Sequence, residues 1–242
     1  MQAQYHSINT FGTVDGPGIR YVLFLAGCKL ACSFCHNPDT WVMSGKTITV
    51  TEVIKEIEEY RSFYDSSGGG ITVSGGEPLL QPDFVAALFK KCHVQGIHTV
   101  LDTSGFARPD ALEKVLPLTD GLLFSLKAAD NKVHRQLTGK GNELIIANLI
   151  HAAGKCPMTL RYVIIPGIND SDSDLKQLSD LIKQLPTSVQ LDLLPYHTMG
   201  ITKWEALKIP YKLPHVPGAT ETDVKRVKVF LVQTGLKNKY LG

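Results

Sequence analysis

Three cysteines stand within eight positions in the run AGCKLACSFCHNPDTW (26–41): Cys28, Cys32 and Cys35, spaced C-x3-C-x2-C. Clustered thiolates select zinc or iron–sulfur chemistry. A 4Fe–4S cluster ordinarily takes four cysteines, one per iron, so three leave one iron with an open position. Closed metal sites are structural, whereas open ones bind a substrate. An open iron calls for an external ligand, such as a small molecule carrying an amine and a carboxylate. Two other readings of these residues stand beside this one. His36 can complete a structural zinc site with Cys28, Cys32 and Cys35, although a residue directly following Cys35 makes an awkward corner of a tetrahedron. A plain electron-carrying ferredoxin would bring four cysteines and has no use for glycine-rich turns.

The rest of the chain has to position those thiols. Its 242 residues are 43% hydrophobic and 20% charged, a globular composition able to bury a substantial core. A net charge of +2 gives no ground for expecting nucleic acid or an anionic membrane as partner. No apolar run approaches the ~20 residues of a membrane-spanning helix. The first residues, MQAQYHSINTFG, lack the basic stretch and apolar core of a secretory signal, so a cytoplasmic protein is expected. In that reducing compartment, five cysteines with three clustered read as metal or redox chemistry rather than as disulfides.

Short apolar runs alternate with helical patterns six times, at 19–25, 70–74, 97–101, 122–126, 159–165 and 189–194. Thr49 and Glu52 have capping-box spacing ahead of a stripe of Val53, Ile54 and Ile57. Pro82 suits a first helical position, with Phe84, Val85, Leu88, Phe89 and Cys92 on one face and Gly96 at the end. Cys92 is thus expected to be a small core residue; Cys156 is assigned no role. A short helix is expected at 110–116. Ile145, Ile146, Leu149 and Ile150 mark another helix, stopped near Gly154. Leu175, Leu178, Leu181, Ile182 and Leu185 mark the next, and a last one starts near Thr220 with Val224, Val227, Phe230 and Leu231 inward.

Such strands mean a parallel sheet buried on both faces. Each is followed by a polar group, a glycine turn or a metal ligand: Gly27-Cys28, SGGEP (74–78), DTSG (102–105), Ser125 with Lys127, IPGIND (165–170) after Arg161, and PYH (195–197). In βα folds those strand ends share one rim, where sites are built. A flat doubly wound sheet is one arrangement. The fold class expected here is instead α/β with a partial (β/α)6 barrel of parallel strands, which aims all six rim segments at one cavity.

The motifs also carry a resemblance. C-x3-C-x2-C with Phe34 before the last cysteine resembles the radical S-adenosylmethionine enzymes, and GGEP resembles their methionine-amino motif. GTVDGPGIR (12–20), CHNPDTW (35–41), SGGGITVSGGEPLLQ (67–81), LDTSGF (101–106), RYVIIPGIND (161–170) and LLPYH (193–197) together resemble the glycyl-radical-enzyme activating enzymes. This likeness runs over nearly the whole chain. It implies a barrel of radical SAM type with one 4Fe–4S cluster and S-adenosylmethionine, whose amine and carboxylate chelate the open iron. It implies reductive cleavage of that cofactor and hydrogen abstraction from a glycine of a partner enzyme. The hard chemistry belongs to the cofactors, and the protein binds, orients and excludes water.

Carried over position by position, the resemblance makes Cys28, Cys32 and Cys35 the cluster ligands. Phe34 and His36 fall in a cofactor-contacting segment, where simple core packing is the other reading of Phe34. Gly75 and Gly76 let backbone approach the cofactor amine, with Glu77 in the same motif. Asp102 and Thr103 are placed at the ribose or at a monovalent cation, and Ser125, Leu126 and Lys127 line the fourth strand end. Lys127 is also a catalytic candidate, against a rim salt bridge. Arg161 inside an apolar strand calls for a carboxylate partner, the cofactor's own among them. His197 is placed near the adenosine. Asp15 is the second catalytic candidate, contacting the partner's glycyl loop, although an Asp before Gly16-Pro17-Gly18 also forms turns by itself. Trp41 and Trp204 are candidates to line the partner groove, with core packing expected for at least one.

Ser125 departs from the aspartate common in the family, which removes an anionic oxygen and puts the cation in question; Asp130 is a substitute. Only seven residues, 42–48, separate Trp41 from Thr49, without the cluster-bearing insertion of some relatives. That favours pyruvate formate-lyase as the partner, ahead of another glycyl radical enzyme. Radical chemistry on a small molecule is a further alternative, and a zinc-binding scaffold is the non-enzymatic one. The remaining expectations are a low-potential reductant such as flavodoxin or ferredoxin, a monomer, and a single domain over 1–242. An N-terminal loop, 1–18, and a C-terminal segment, 198–242, should flank the barrel.

Overall fold

The computed structural model describes residues 1–43 and 45–236, so the last six residues of the expected C-terminal segment, 237–242, lie outside the described residues. The chain forms two compact units: Met1–Lys29 with Thr40–Leu123 and Lys155–Pro157, and Leu30–Asp39 with Phe124–Gly154 and Met158–Gly242.

The first unit holds β1 (Gln2–Gly12), β2 (Arg20–Leu25), β3 (Lys46–Thr49), α1 (Val50–Glu59), α2 (Arg61–Ser67), β4 (Gly70–Gly75), α3 (Pro82–Val94), β5 (His98–Thr103), α4 (Pro109–Val115) and the start of β6 (Gly121–Leu126). Its strand order is β3-β1-β2-β4-β5-β6. β2, β4 and β5 run parallel, with Val22, Thr72 and Val100 in register. The capping box at Thr49 and Glu52 forms, with Val53, Ile54 and Ile57 buried. Pro82 opens α3, and Phe84, Val85, Leu88, Phe89 and Cys92 are all buried on it.

One expectation for this unit is corrected. Residues 2–12 of the expected N-terminal loop are a strand, antiparallel to β2 and to β3. Its sequence, QAQYHSINTFG, offers no apolar run, because most of its side chains are only half-buried. Strand β3, at four residues, is too short to show a pattern.

The second unit holds the end of β6, α5 (Asn131–Thr138), α6 (Glu143–Ala152), β7 (Met158–Ile164), α7 (Asp172–Lys183), β8 (Gln190–Pro195), α8 (Ile201–Ala206) and α9 (Glu221–Gln233). β7 and β8 pair in parallel. On β7, Leu160, Tyr162 and Ile164 are fully buried while Thr159, Arg161 and Val163 alternate with them, half-buried on the other face. α7 buries Leu175, Leu178, Leu181 and Ile182 as its pattern requires. On α9, Val227 and Leu231 are buried, whereas Val224 and Phe230 are only half-covered. Of the residues that marked α6, Ile145 and Leu149 are buried and Ile150 is 47% exposed. Helix α5, NKVHRQLT, has too few apolar residues to announce itself; Asp130 caps it by accepting from the Val133 amide at 2.9 Å.

β2, β4, β5, β6, β7 and β8 are the six strands read from the sequence, and the mostly parallel α/β class is the one found.

Candidate active site

In the first unit, the chain leaving β2 carries Gly27 and half-buried Cys28. Their amides donate to the Thr40 and Trp41 carbonyls at 2.7 and 3.1 Å. The Gly75-Gly76-Glu77 turn lies directly against this segment. Gly76 N–H donates to Leu25 O at 2.9 Å, and Glu77 N–H donates to Gly27 O at 2.7 Å. Gly75 has φ of +115°, and a Cβ there would sit 2.3 Å from Leu25 O. Both glycines are therefore required by close backbone packing on the chain that presents Cys28.

Glu77 is 1% exposed, and its carboxylate is fully engaged. It accepts from Thr103 Oγ1 at 2.6 Å, Leu79 N at 3.1 Å, Ser104 N at 3.0 Å and Ser104 Oγ at 2.5 Å. Burial pushes its pKa up against the pull of these donors. Glu77 and Thr103 thus tie the ends of β4 and β5 together, and the Thr103 hydroxyl also accepts from Gly105 N at 2.9 Å. Asp102, on the opposite face of β5, accepts from Ser74 Oγ at 2.8 Å. Asp15 lies half-buried in the loop after β1, and its carbonyl accepts from Thr72 Oγ1 at 2.7 Å.

Arg20 carries no role in the sequence reading, yet it is fully buried at the start of β2. Its guanidinium donates to Thr72 Oγ1 at 3.0 Å, to Pro17 O at 3.3 Å, to His98 O at 3.2 Å and to the Ile71 carbonyl. Desolvation brings its pKa down to about 10, opposed by Asp120 and Asp15. Arg20 fixes the loop that holds Asp15. The available signal was a charge at the head of an apolar strand.

In the second unit, Cys32 and Cys35 share a turn, with Cys35 N–H donating to Cys32 O at 3.1 Å. The loop hangs from the C-terminal end of α5: Ala31 N–H donates to Thr138 O at 3.0 Å and Ser33 N–H to Leu137 O at 2.7 Å. These are carbonyls that a helix end leaves open. Burial pushes the Cys32 thiol up to about 11, partly offset by Lys127. A thiol held protonated in this way must release its proton to bind iron.

Phe34 is buried, and Lys127 Nζ lies 6.0 Å from its ring centre, at the limit of a cation–π contact. The core-packing reading of Phe34 is the one this burial supports. Ser125 is half-buried, whereas the Leu126 side chain is fully buried and only its backbone can meet a ligand. Arg161 Nε lies 3.9 Å from Asp192 Oδ2, the residue directly opposite it in register on β8. The His36 and His197 rings lie against each other at a 45° tilt, with centres 4.1 Å apart. Burial, then His197, pulls the His36 pKa down. His197 Nδ1 is buried with no hydrogen-bond partner among the described residues.

These residues fit an iron–sulfur cluster and a polar ligand. None of Cys28, Cys32 and Cys35 is held in a disulfide. Among the described residues, no three His, Cys, Asp or Glu side chains gather closely enough to hold one metal ion. A cube takes one thiolate at each of its separate irons, and the donor set of three cysteines matches three such corners. The orphaned His197 nitrogen is a buried polar atom that a bound cofactor would satisfy.

Residues 22–179 match the Radical SAM superfamily. The chain is 41% identical over 234 residues to the pyruvate formate-lyase-activating enzyme of Staphylococcus epidermidis, covering 93% of both. The chain belongs to the radical SAM superfamily, among the pyruvate formate-lyase-activating enzymes. A domain of pyruvate-formate lyase-activating enzyme from Bacteroides vulgatus superposes with a TM-score of 0.58 at 31% identity, covering 70% of this chain and 96% of that one. A radical SAM methyltransferase from Sphaerobacter thermophilus shares the fold alone, with a TM-score of 0.66 at 20% identity over 93% of this chain and 69% of that one. As a radical SAM enzyme, the protein is an oxidoreductase that uses a 4Fe–4S cluster and S-adenosylmethionine. No described helix is long and apolar enough to cross a membrane.

Proposed function

We propose that the protein activates pyruvate formate-lyase by removing a hydrogen atom from a glycine of that partner. The observation that carries this reading is the 41% identity across 93% of a pyruvate formate-lyase-activating enzyme. When bound, the cluster and S-adenosylmethionine supply the one-electron chemistry.

The chain's own residues do the holding and orienting. Cys28, Cys32 and Cys35 hold the cluster. Gly75 and Gly76 present backbone to the cofactor amine, in a turn braced by Glu77, Thr103 and Ser104. This makes Glu77 a brace for the motif. Asp102, steadied by Ser74, meets the ribose or a cation. The Thr103 hydroxyl is committed to Glu77, so the cation reading rests on Asp102. Lys127 brings a cation beside Phe34 and lowers the Cys32 pKa, and Arg161 supplies a second cation, shared with Asp192. His197 donates to or accepts from the cofactor through Nδ1, backed by His36. Asp15 meets the partner's glycyl loop from a loop that Arg20 secures.

The protein is read as one radical SAM domain acting as a cytoplasmic monomer. A low-potential flavodoxin or ferredoxin is read as the reductant. The test is anaerobic incubation of reconstituted protein with reductant, S-adenosylmethionine and pyruvate formate-lyase. A glycyl radical signal on the partner is expected. Formation of 5′-deoxyadenosine with no glycyl radical on any candidate partner overturns the reading in favour of a small-molecule substrate.

A further inference from the structure

Trp204 is fully buried in helix α8, which removes it from the list of groove-lining aromatics. It is more than core filling. Its indole Nε1–H donates to the carbonyl oxygen of Cys35 at 2.8 Å. The ring stands edge-on to Tyr211, with centres 5.2 Å apart, and the Tyr211 and Tyr196 hydroxyls share a hydrogen bond of 2.6 Å. The preceding residue, Lys203, donates from Nζ to Asn37 Oδ1 at 2.6 Å and lies 3.8 Å from Asp39 Oδ2. Gly200 abuts the same loop: a Cβ there would lie 3.0 Å from His36 Cα. One short helix thus grips the segment 35–39 through backbone, side chains and close packing.

We infer that Trp204 is a positioning residue for the Cys35 corner of the cluster. The Cys35 N–H is tied to Cys32 and its C=O to the indole, so the peptide groups on both sides of Cys35 are fixed before any iron arrives. With the backbone set, the thiolate is aimed by rotation about its side chain alone. Groups that orient metal ligands from behind commonly alter metal affinity about 10-fold or more when removed. The inference rests on Cys35 being a cluster ligand.

The test compares Trp204→Phe, which keeps an aromatic ring but loses the donor, with Tyr211→Phe, which loosens the same corner but keeps the indole. Cys35→Ser serves as the ligand control. All are reconstituted anaerobically, and iron release to a chelator is timed alongside thermal unfolding of the apoprotein. Trp204→Phe should release iron about 10-fold faster than wild type, with Tyr211→Phe close to wild type. Equal release from Trp204→Phe and wild type overturns the inference. So does release that merely follows the apoprotein melting temperature across both variants. Unchanged iron in Cys35→Ser overturns the ligand assignment as well, whereas iron loss there with normal release from Trp204→Phe overturns this inference alone. Should Trp204→Phe fail to fold, the indole N–H of wild-type apoprotein is followed by hydrogen exchange. Protection supports the clamp, and free exchange overturns it.

Discussion

A methyl group at position 76 would place its carbon 2.1 Å from the carbonyl oxygen of Gly27. The contact is backbone to backbone, so no side chain can swing aside to relieve it. Gly27 immediately precedes Cys28, and its own amide is anchored to Thr40. Gly76→Ala must therefore push the Cys28 segment away or distort the turn. A cost of about 1–3 kcal/mol is expected from such overpacking. Iron content after reconstitution should fall together with the unfolding midpoint. A variant with full iron and wild-type stability would show that the glycine serves ligand approach alone.

Glu77→Gln tests the brace behind that turn. The carboxylate accepts from four donors on Thr103, Ser104 and Leu79. An amide has one acceptor oxygen, and its NH2 would face groups that are themselves donating. At least one buried donor is left unpaired, at about 1–3 kcal/mol. Denaturant unfolding should register that loss, and equilibrium binding of S-adenosylmethionine should weaken as Gly75 and Gly76 shift. Unaltered binding alongside the lost stability would separate the brace from the cofactor site.

The six βα strands were legible because each is a short apolar run between turn residues. The capping box at Thr49 and the α3 face could be read residue by residue for the same reason. β1 was not legible, since its half-buried side chains leave no alternation, and α5 was hidden by its polar composition. At the site, the cysteine spacing pointed to a cluster, and the arginine within the apolar run of β7 pointed to a carboxylate. That the carboxylate is Asp192 depends on the β7–β8 register, which no local pattern contains. The engagement of Thr103 with Glu77 could not be read from the sequence, because neighbours in a strand face opposite ways. Asp102 and Thr103 belong to different faces of β5, although they adjoin in sequence.

Acid should destabilise the fold partly through His98. Its ring lies 3.2 Å from Arg20 Nη1, and burial, followed by the charge of Arg20, holds its pKa below the ordinary 6.5. Asp120 opposes this shift and His93 adds to it. As pH falls through 6.5 the unfolded chain takes up a proton that the folded chain refuses. The unfolded state then binds more protons, so stability declines on the acid side and is retained above 6.5. Urea midpoints at pH 7.5 and 5.5 should differ in wild type and differ less in His98→Gln. An identical pH dependence in the variant would remove His98 from the account.

Cysteine substitution separates the roles most sharply. Cys92 is fully buried on α3, and burial pushes its thiol up to about 12, the signature of an inert core sulfur. Cys92→Ala should lower stability by about 1 kcal/mol through a small cavity and leave iron and sulfide content unchanged. Cys28→Ser, Cys32→Ser and Cys35→Ser should each lose most of the iron and the brown absorbance. Their apoproteins should still fold, because the turn at Cys32–Cys35 and its hydrogen bonds to Leu137 and Thr138 run through backbone, not sulfur. Iron analysis and circular dichroism on the four variants decide the matter. Loss of iron in Cys92→Ala, or its retention in any of the three serine variants, would redraw the ligand set.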